Sequence, residues 1–373
     1  MDSYVRNPEA LADVIRAFRT EPRVAVDTEA ASFHRYRDRI YLVQLSSRDH
    51  TAIIDPLAIT DLAPLGALLG DSQIEKVFHD ADYDLRVLDR DYGFRAVRLF
   101  DTRIAAQLAG ERTVGLAAVL QTYLGVQLAK EHQKDDWSQR PLPPAMLAYA
   151  AADTKYLLAL RDALAIRLKT LGRSSWAEEE FQRLESLRWT GTSDGNDAYL
   201  RVRGAKALAP RSLATLRELH RWRETVAAGE DKAPFRVIGN DALLAVARAQ
   251  PAGAGQLAEI TELPTSLARR HGPALLDAVA RARRLPDKDL PHIERVARAL
   301  KDPGFDGRLE RLKAARNRAA EALGLDPGVL CGRPTLEAVA RAHPKNRAGL
   351  AQVGELRRWQ IEVLGAALVE ALR

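Results

Sequence analysis

The 373-residue chain holds a single cysteine, Cys331. One sulfur builds neither an internal disulfide nor a thiolate metal cluster, which fits a reducing compartment and leaves oxygen donors for any bound metal. Long apolar runs are missing too. None approaches the roughly 18 residues a membrane-spanning helix needs. The opening stretch, MDSYVRNPEALADVIRAF, has no basic segment leading into an apolar one and so shows no secretory signal. The expected location is the cytoplasm, with no membrane partner. What remains is ordinary globular usage, 46% apolar and 28% charged, at a length that suits about two or three domains.

Charge is unevenly divided along the chain. Of the 56 Lys and Arg and the 50 Asp and Glu, residues 1–172 carry 22 and 24, leaving 34 and 26 for residues 173–373. The first part is thus near −2 and the second near +8, a bias that suits a polyanionic partner.

From Arg23 to about Leu171 the pattern alternates between short β-like runs and helical ones. Val24 to Val26, Ile40 to Leu45 and Ala52 to Ile54 read as three strands, close enough in sequence to be antiparallel neighbours. A helix is expected over Leu62 to Leu69, a strand over Ile74 to Phe78, a helix over Asp82 to Tyr92 and a strand over Val97 to Phe100. Helical runs follow over Thr102 to Leu108 and Val114 to Tyr123. The sum is a mixed α/β domain whose sheet begins as a meander and is completed by helix-linked strands.

Beyond Ser174 the pattern is helical, punctuated by prolines. At a shift of 93 residues, Leu243, Ala245 to Ala249 and Pro251 recur as Leu336, Ala338 to Ala342 and Pro344, and 15 of the 37 positions from Ala242 to Ala278 are identical. This is a duplicated helical unit. The expected division is 1–172 for the α/β domain, 173–207 for a linker, 208–285 for the first helical domain, 286–305 for a helical linker and 306–373 for the second helical domain.

Three acidic clusters lie in the α/β part. Asp27 and Glu29 end the first expected strand and, two apart, project from one face toward one point. Carboxylates held that close repel unless a proton or a cation intervenes. The second cluster, His79 to Leu85, enters a helix; Asp80 and Asp82 suit its cap or first turn, and Asp84 lies one turn further in. In the third, Tyr149 and Asp153 are four apart on a helix, hence on one face, among alanines that permit close approach. Four carboxylates without cysteine suit hard divalent cations.

In this order, the three clusters resemble the three motifs of the DEDD 3′–5′ exonucleases, in the tyrosine-bearing subgroup. The run Lys134-Asp135-Asp136-Trp137-Ser138-Gln139-Arg140-Pro141-Leu142 is similar to the ribonuclease D family in particular. The repeated helical units resemble helicase-and-RNase-D C-terminal (HRDC) domains. The resemblance implies a ribonuclease H-like α/β exonuclease domain followed by two all-α HRDC-like domains. It implies two divalent ions, Mg²⁺ or Mn²⁺, with Asp27, Glu29, Asp84 and Asp153 as ligands, Asp27 bridging both ions and Asp84 acting through water. Tyr149 would orient the attacking water, and the product would be a nucleoside 5′-monophosphate. The implied activity is 3′–5′ exoribonuclease trimming of RNA with an accessible 3′ end, tRNA precursors included, with no obligate protein partner. A DNA-directed or proofreading exonuclease, and an idle RNA-binding adaptor, are the alternatives.

Further substrate contacts are expected from Phe33 and Tyr36, in a segment mixing aromatics with cations, and from Gln44, His79, Lys134, Trp137 and Arg140. The basic segments Arg281 to Arg284 and Arg311 to Arg318 suit an accessory RNA platform on the helical repeats.

Overall fold

The computed structural model describes residues 3–128, 132–191, 195–293 and 302–373. Six strands form one sheet: β1 (Ser3–Val5), β2 (Arg23–Ala30), β3 (Ile40–Ser46), β4 (Thr51–Ile54), β5 (Glu75–Phe78) and β6 (Leu99–Asp101), in the order β1-β4-β3-β2-β5-β6. β2, β3 and β4 are the expected antiparallel meander, and β5 and β6 add parallel to β2. The central strand β3, IYLVQLS, is buried along its whole length, as a strand covered on both faces must be. The pairing of β2 with β3 slips between Glu29 and Ala30. This bulge bends the ladder next to the D-x-E pair.

The first strand and helix are unforeseen in the sequence reading. β1 is three residues long and pairs parallel with β4. Helix α1 (Pro8–Phe18) starts where the Asn7 side chain accepts from the Ala10 amide and Pro8 opens the first turn; Leu11, Ile15 and Phe18 form its buried stripe. Around the sheet follow α2 (Ala63–Leu69), α3 (Asp82–Tyr92), α4 (Thr102–Ala109), α5 (Leu116–Leu124), α6 (Pro144–Lys155), α7 (Leu157–Thr170) and α8 (Ser174–Glu185). The last strand is shifted from the expected Val97 to Phe100. Arg98 takes a left-handed backbone, φ +55°, so pairing begins at Leu99. Helix α8 falls within the stretch 173–207; it buries Ala177 and Phe181, and Phe181 packs on Phe100 with ring centroids 4.8 Å apart.

Two helical groups complete the chain. One comprises α9 (Pro210–Glu230), α10 (Pro234–Val237), α11 (Asn240–Ala249), α12 (Ala254–Ala258) and α13 (Thr265–Arg283). The other comprises α14 (Phe305–Leu323), α15 (Pro327–Leu330), α16 (Arg333–Ala342), α17 (Arg347–Leu350) and α18 (Arg358–Ala371). The 93-residue repeat carries over to backbone geometry: α11 and α16 have the same length and end in left-handed caps at Gln250 (φ +46°) and His343 (φ +45°). Residues 192–194 and 294–301, within the two expected linkers, lie outside the described residues. No helix among the described residues is long and apolar enough to cross a membrane.

The chain divides into two compact units. One holds the sheet with α1 to α8 and α14 to α18; the other holds residues 31–39 with α9 to α13. In the first unit a single hydrophobic core continues from the sheet into the second helical group. Its joint is polar as well as apolar. The buried Arg173 guanidinium donates to Leu108 O at the end of α4 (2.7 Å) and to Leu323 O at the end of α14 (2.5 Å), and Trp176 stacks on Trp359 at 4.9 Å. Glu180 accepts from both Arg357 and the Trp359 indole. Gly110, at φ +94°, ends α4 so near α14 that a Cβ would lie 2.7 Å from Gly324 O.

Arg173→Ala would strand two buried carbonyls, each worth about 1–3 kcal/mol when unsatisfied. The expected result is a melting temperature lower by about 5 °C or more, read by differential scanning fluorimetry. An unchanged melting temperature would show that the joint carries no weight in stability.

Candidate active site

β2 delivers Asp27 and Glu29 at its C-terminal end, and α6, packed across β2, β3 and β4, delivers Asp153 from above. One carboxylate oxygen from each of Asp27, Glu29 and Asp153 falls within 4.8 Å of the others. α6 can approach because its contact face is Ala150, Ala151 and Thr154, all buried, with the Thr154 hydroxyl 2.7 Å from Ser46 Oγ on β3. Asp84 comes from the first turn of α3. It is buried and takes a short hydrogen bond from the hydroxyl of Thr28, the residue between Asp27 and Glu29.

These four carboxyls are held against their ordinary ionisation. Burial pushes Asp27 up to about 7. Burial and then the Asp27 charge push Asp153 up to about 8. Glu29 rises well above the usual carboxyl range through burial, then through Asp27, Asp153 and Asp84; Asp84 rises through burial and then Asp27. The influences acting the other way are hydrogen bonds, from the Thr28 backbone to Asp27, from the Thr28 side chain and the Asp84 backbone to the Asp84 carboxyl, and from Tyr149 to Asp153. No Lys or Arg among the described residues neutralises the cluster in this balance. A concentration of oxygen donors that repel one another and lack a protein cation fits a hard divalent ion.

Tyr149 stands one helical turn before Asp153 and lines a cleft of about 410 Å³ with Asp27, Asp153, His79, Thr113 and Gln133. Its phenol is raised above its ordinary value by burial, then by Asp153 and Glu29. It therefore stays protonated and acts as a donor. The Trp137 ring braces it, with centroids 6.1 Å apart.

The second cluster is organised by a residue the sequence reading left out. Asp101, buried at the end of β6, accepts from the amides of Ala81 (2.8 Å), Arg103 (2.8 Å) and Ile104 (3.0 Å). It caps α4 and at the same time fixes the turn into α3. Asp80 and Asp82 do not cap α3; they pair with Arg103 and Arg86 instead. The available signal was Asp101-Thr102 at a strand end opening a helix, a standard cap pattern.

The seven expected substrate contacts separate by position. His79 lines the cleft with its Nδ1 2.8 Å from the Thr102 hydroxyl, and burial lowers it to about 4, so the ring is neutral near pH 7. Lys134 is exposed on the loop ahead of α6. Gln44 and Trp137 are buried, at 0% and 1% exposure, which places them beneath the site rather than on its surface. Arg140 spends its guanidinium on Asp55, at 2.7 and 2.9 Å, and on Tyr41 O at 2.9 Å, tying the 132–142 loop to the sheet. Phe33 and Tyr36 belong to the other compact unit: Phe33 is 52% exposed and meets Phe235 edge-on at 6.3 Å, and Tyr36 packs against that unit's core.

Comparison with known proteins follows the same division. A 3′–5′ exonuclease family model matches residues 3–169, and an HRDC domain model matches residues 212–279 and 305–372. Ribonuclease D of Pseudomonas paraeruginosa is 33% identical over 371 residues, covering 99% of this chain and 97% of the relative. Ribonuclease D of Escherichia coli is 31% identical over 370 residues, covering 99% and 98%. The crystal structure of the latter, described as an exoribonuclease involved in structured RNA processing, superposes with a TM-score of 0.71 at 30% identity, again over 99% and 98% of the two chains. A crystal structure from Bifidobacterium adolescentis gives a TM-score of 0.83 at 25% identity over 99% and 96%. With the exonuclease fold, both HRDC repeats and near full-length identity above 30%, the chain belongs to the ribonuclease D family of 3′–5′ exoribonucleases.

Proposed function

We propose that this chain trims structured RNA, tRNA precursors among them, from an accessible 3′ end, using two divalent cations and releasing nucleoside 5′-monophosphates. The observation that carries the reading is the meeting of Asp27, Glu29 and Asp153 oxygens within 4.8 Å in a partly buried, uncompensated acidic site. Asp27, Glu29 and Asp153 would hold one ion, and Asp27 with Asp84 the other. Bound there, a pair of cations supplies an activated water on one side of the scissile phosphate and charge stabilisation of the leaving 3′ oxygen on the other.

The remaining work falls to the protein. Tyr149, protonated, donates a hydrogen bond that orients the attacking water. Neutral His79 forms part of the cleft wall, and Lys134, on the exposed loop, meets phosphate. Phe33 and Tyr36, within the unit that holds α9 to α13, offer rings for base stacking. The proposed modules are the nuclease at 1–172 and the HRDC-like units at 208–285 and 306–373, acting in the cytoplasm without an obligate protein partner.

Tyr149→Phe removes one hydroxyl from a packed ring. A drop in kcat of about a hundredfold is expected, with Mn²⁺ affinity by calorimetry unchanged; an equal loss in both would make Tyr149 a ligand-supporting residue instead. The reading as a whole is tested by digesting RNA with a single-stranded 3′ tail and resolving the products by chromatography. Nucleoside 5′-monophosphates are expected, and slower release when the terminal residues lack the 2′-hydroxyl. Nucleoside 3′-monophosphates, or a preference for the all-deoxy strand, would overturn it.

A further inference from the structure

Gln44 sits in the middle of β3 with 0% exposure, and neither its Nε2 nor its Oε1 has a hydrogen-bond partner among the described residues. A buried primary amide offers two donors and two lone pairs. Leaving all of them unused is costly, and it is rare enough in native proteins that each case calls for a physical reason. Leucine or methionine would fill the same volume at no such cost.

The strand register supplies the reason. Gln44 is directly opposite Asp27 in the β2/β3 ladder. Residues so paired project from the same face with Cβ atoms about 4.5–5.5 Å apart. Ser46, two residues on and therefore on that face too, bonds Thr154 of α6, which identifies the face as the one covered by the helix of Tyr149 and Asp153. The unused amide is thus enclosed between the strand bearing Asp27 and Glu29 and the helix bearing Asp153. A second unpartnered donor, the buried Trp137 indole N–H, lies on the ring that packs against Tyr149. Unspent donors in the immediate surroundings of an acidic cluster are matched to carboxylates that are ionised, the state a cation imposes.

We propose that Gln44 is a positioning residue of the metal site: its Nε2 donates to the Asp27 carboxylate when that group is ionised and ligating, fixing which oxygen is turned toward the ion. It touches neither RNA nor the reacting atoms. Hydrogen-bonding partners of metal ligands commonly govern affinity by about 10–100-fold, and a device of this kind lowers the stability of the metal-free fold in exchange for a preset ligand. The inference rests on the divalent-cation reading above.

The test compares wild type, Gln44→Met and Asp27→Asn by Mn²⁺ calorimetry, by melting in chelator and by steady-state trimming of RNA. For Gln44→Met the expected result is Mn²⁺ binding weakened about tenfold, kcat reduced with KM for RNA unchanged, and a chelator melting temperature equal to or above that of wild type. A residue serving only the fold would instead lower the melting temperature and leave Mn²⁺ affinity within twofold, which overturns the proposal. Collapse of the fold in both Gln44→Met and Gln44→Leu assigns the amide to folding and overturns it as well. Wild type that binds no Mn²⁺, or binds it no better than Asp27→Asn, refutes the cation reading itself and the role of Gln44 with it. Failure of Gln44→Met alone leaves the cation reading standing.

Discussion

Asp27→Asn is expected to lower kcat by at least about a thousandfold while raising the melting temperature of the metal-free protein. The two changes have one cause. Asp27 is the carboxylate whose charge opposes ionisation of each of the other three, Glu29, Asp84 and Asp153, raising their pKa values. In the two-cation reading proposed above it is also the ligand that both ions would share. Replacing its charge with a neutral amide of the same shape relieves repulsion inside the empty cluster and deletes the common ligand. Several kcal/mol of transition-state stabilisation, the scale of metal-ion catalysis, corresponds to three or more powers of ten in rate at about 1.4 kcal/mol each. A residue important only for the fold would instead lower the melting temperature, with activity lost in proportion to unfolded protein. Single-turnover trimming and melting in chelator separate the cases. A kcat within tenfold of wild type would remove Asp27 from the chemistry.

The second large effect is a stability that depends on pH and metal together. Asp27 and Asp153 have folded-state ionisation near 7 and 8 against 3.8 for the free side chain. A carboxyl raised in this way stabilises the fold fully below about pH 4 and loses that contribution as pH climbs through its folded value, because the unfolded chain then binds fewer protons than the native one. His79 runs in the opposite sense. Its value falls from 6.5 to about 4 on folding, so its contribution grows between those limits and is complete above them. The informative window is therefore pH 6.5 to 8. Across it, chelated protein is expected to lose about 2 kcal/mol of stability from Asp27 and Asp153 together. Protein saturated with Mg²⁺ or Mn²⁺, which binds the ionised carboxylates, is expected to show little of that loss, so the stabilisation by metal increases with pH. Melting curves at the two pH values, with and without chelator, give the four numbers needed. Parallel behaviour in both conditions would mean that the cluster does not take up a cation.

Much of the site was legible in the sequence for local reasons. Strand alternation puts Asp27 and Glu29 on one face, and a four-residue step puts Tyr149 above Asp153; both relations hold whatever surrounds them. The meander of β2, β3 and β4 was equally legible, since alternating and apolar runs of strand length are local signals. Asp84 was harder. Only a family pattern distinguishes it from Asp80 and Asp82, which have the same composition and turn outward to Arg103 and Arg86.

What was not legible depends on contacts distant in sequence. Thr28 bonds a residue 56 positions on, and Asp101 holds a turn 20 positions back. β1 is too short to register as a strand, and it pairs only because β4 presents a free parallel edge about 50 residues later. Gln44 and Arg140 have the chemistry of substrate contacts, but the register of β3 and the pull of Asp55 bury one and occupy the other. The second HRDC repeat differs from the first in where it is placed, sharing the core of the sheet through Arg173, Trp176 and Trp359. Nothing in a self-comparison of the two copies carries that information.

The most direct test is a time course on RNA labelled at its 5′ end and carrying a single-stranded 3′ tail. Wild type and Asp27→Asn are each incubated with Mg²⁺, with Mn²⁺ or with chelator. A ladder that shortens from the 3′ end only for wild type with metal is the expected result. Full-length RNA under every condition despite measurable binding, or a ladder that persists in chelator or in Asp27→Asn, would contradict a metal-dependent exoribonuclease centred on Asp27.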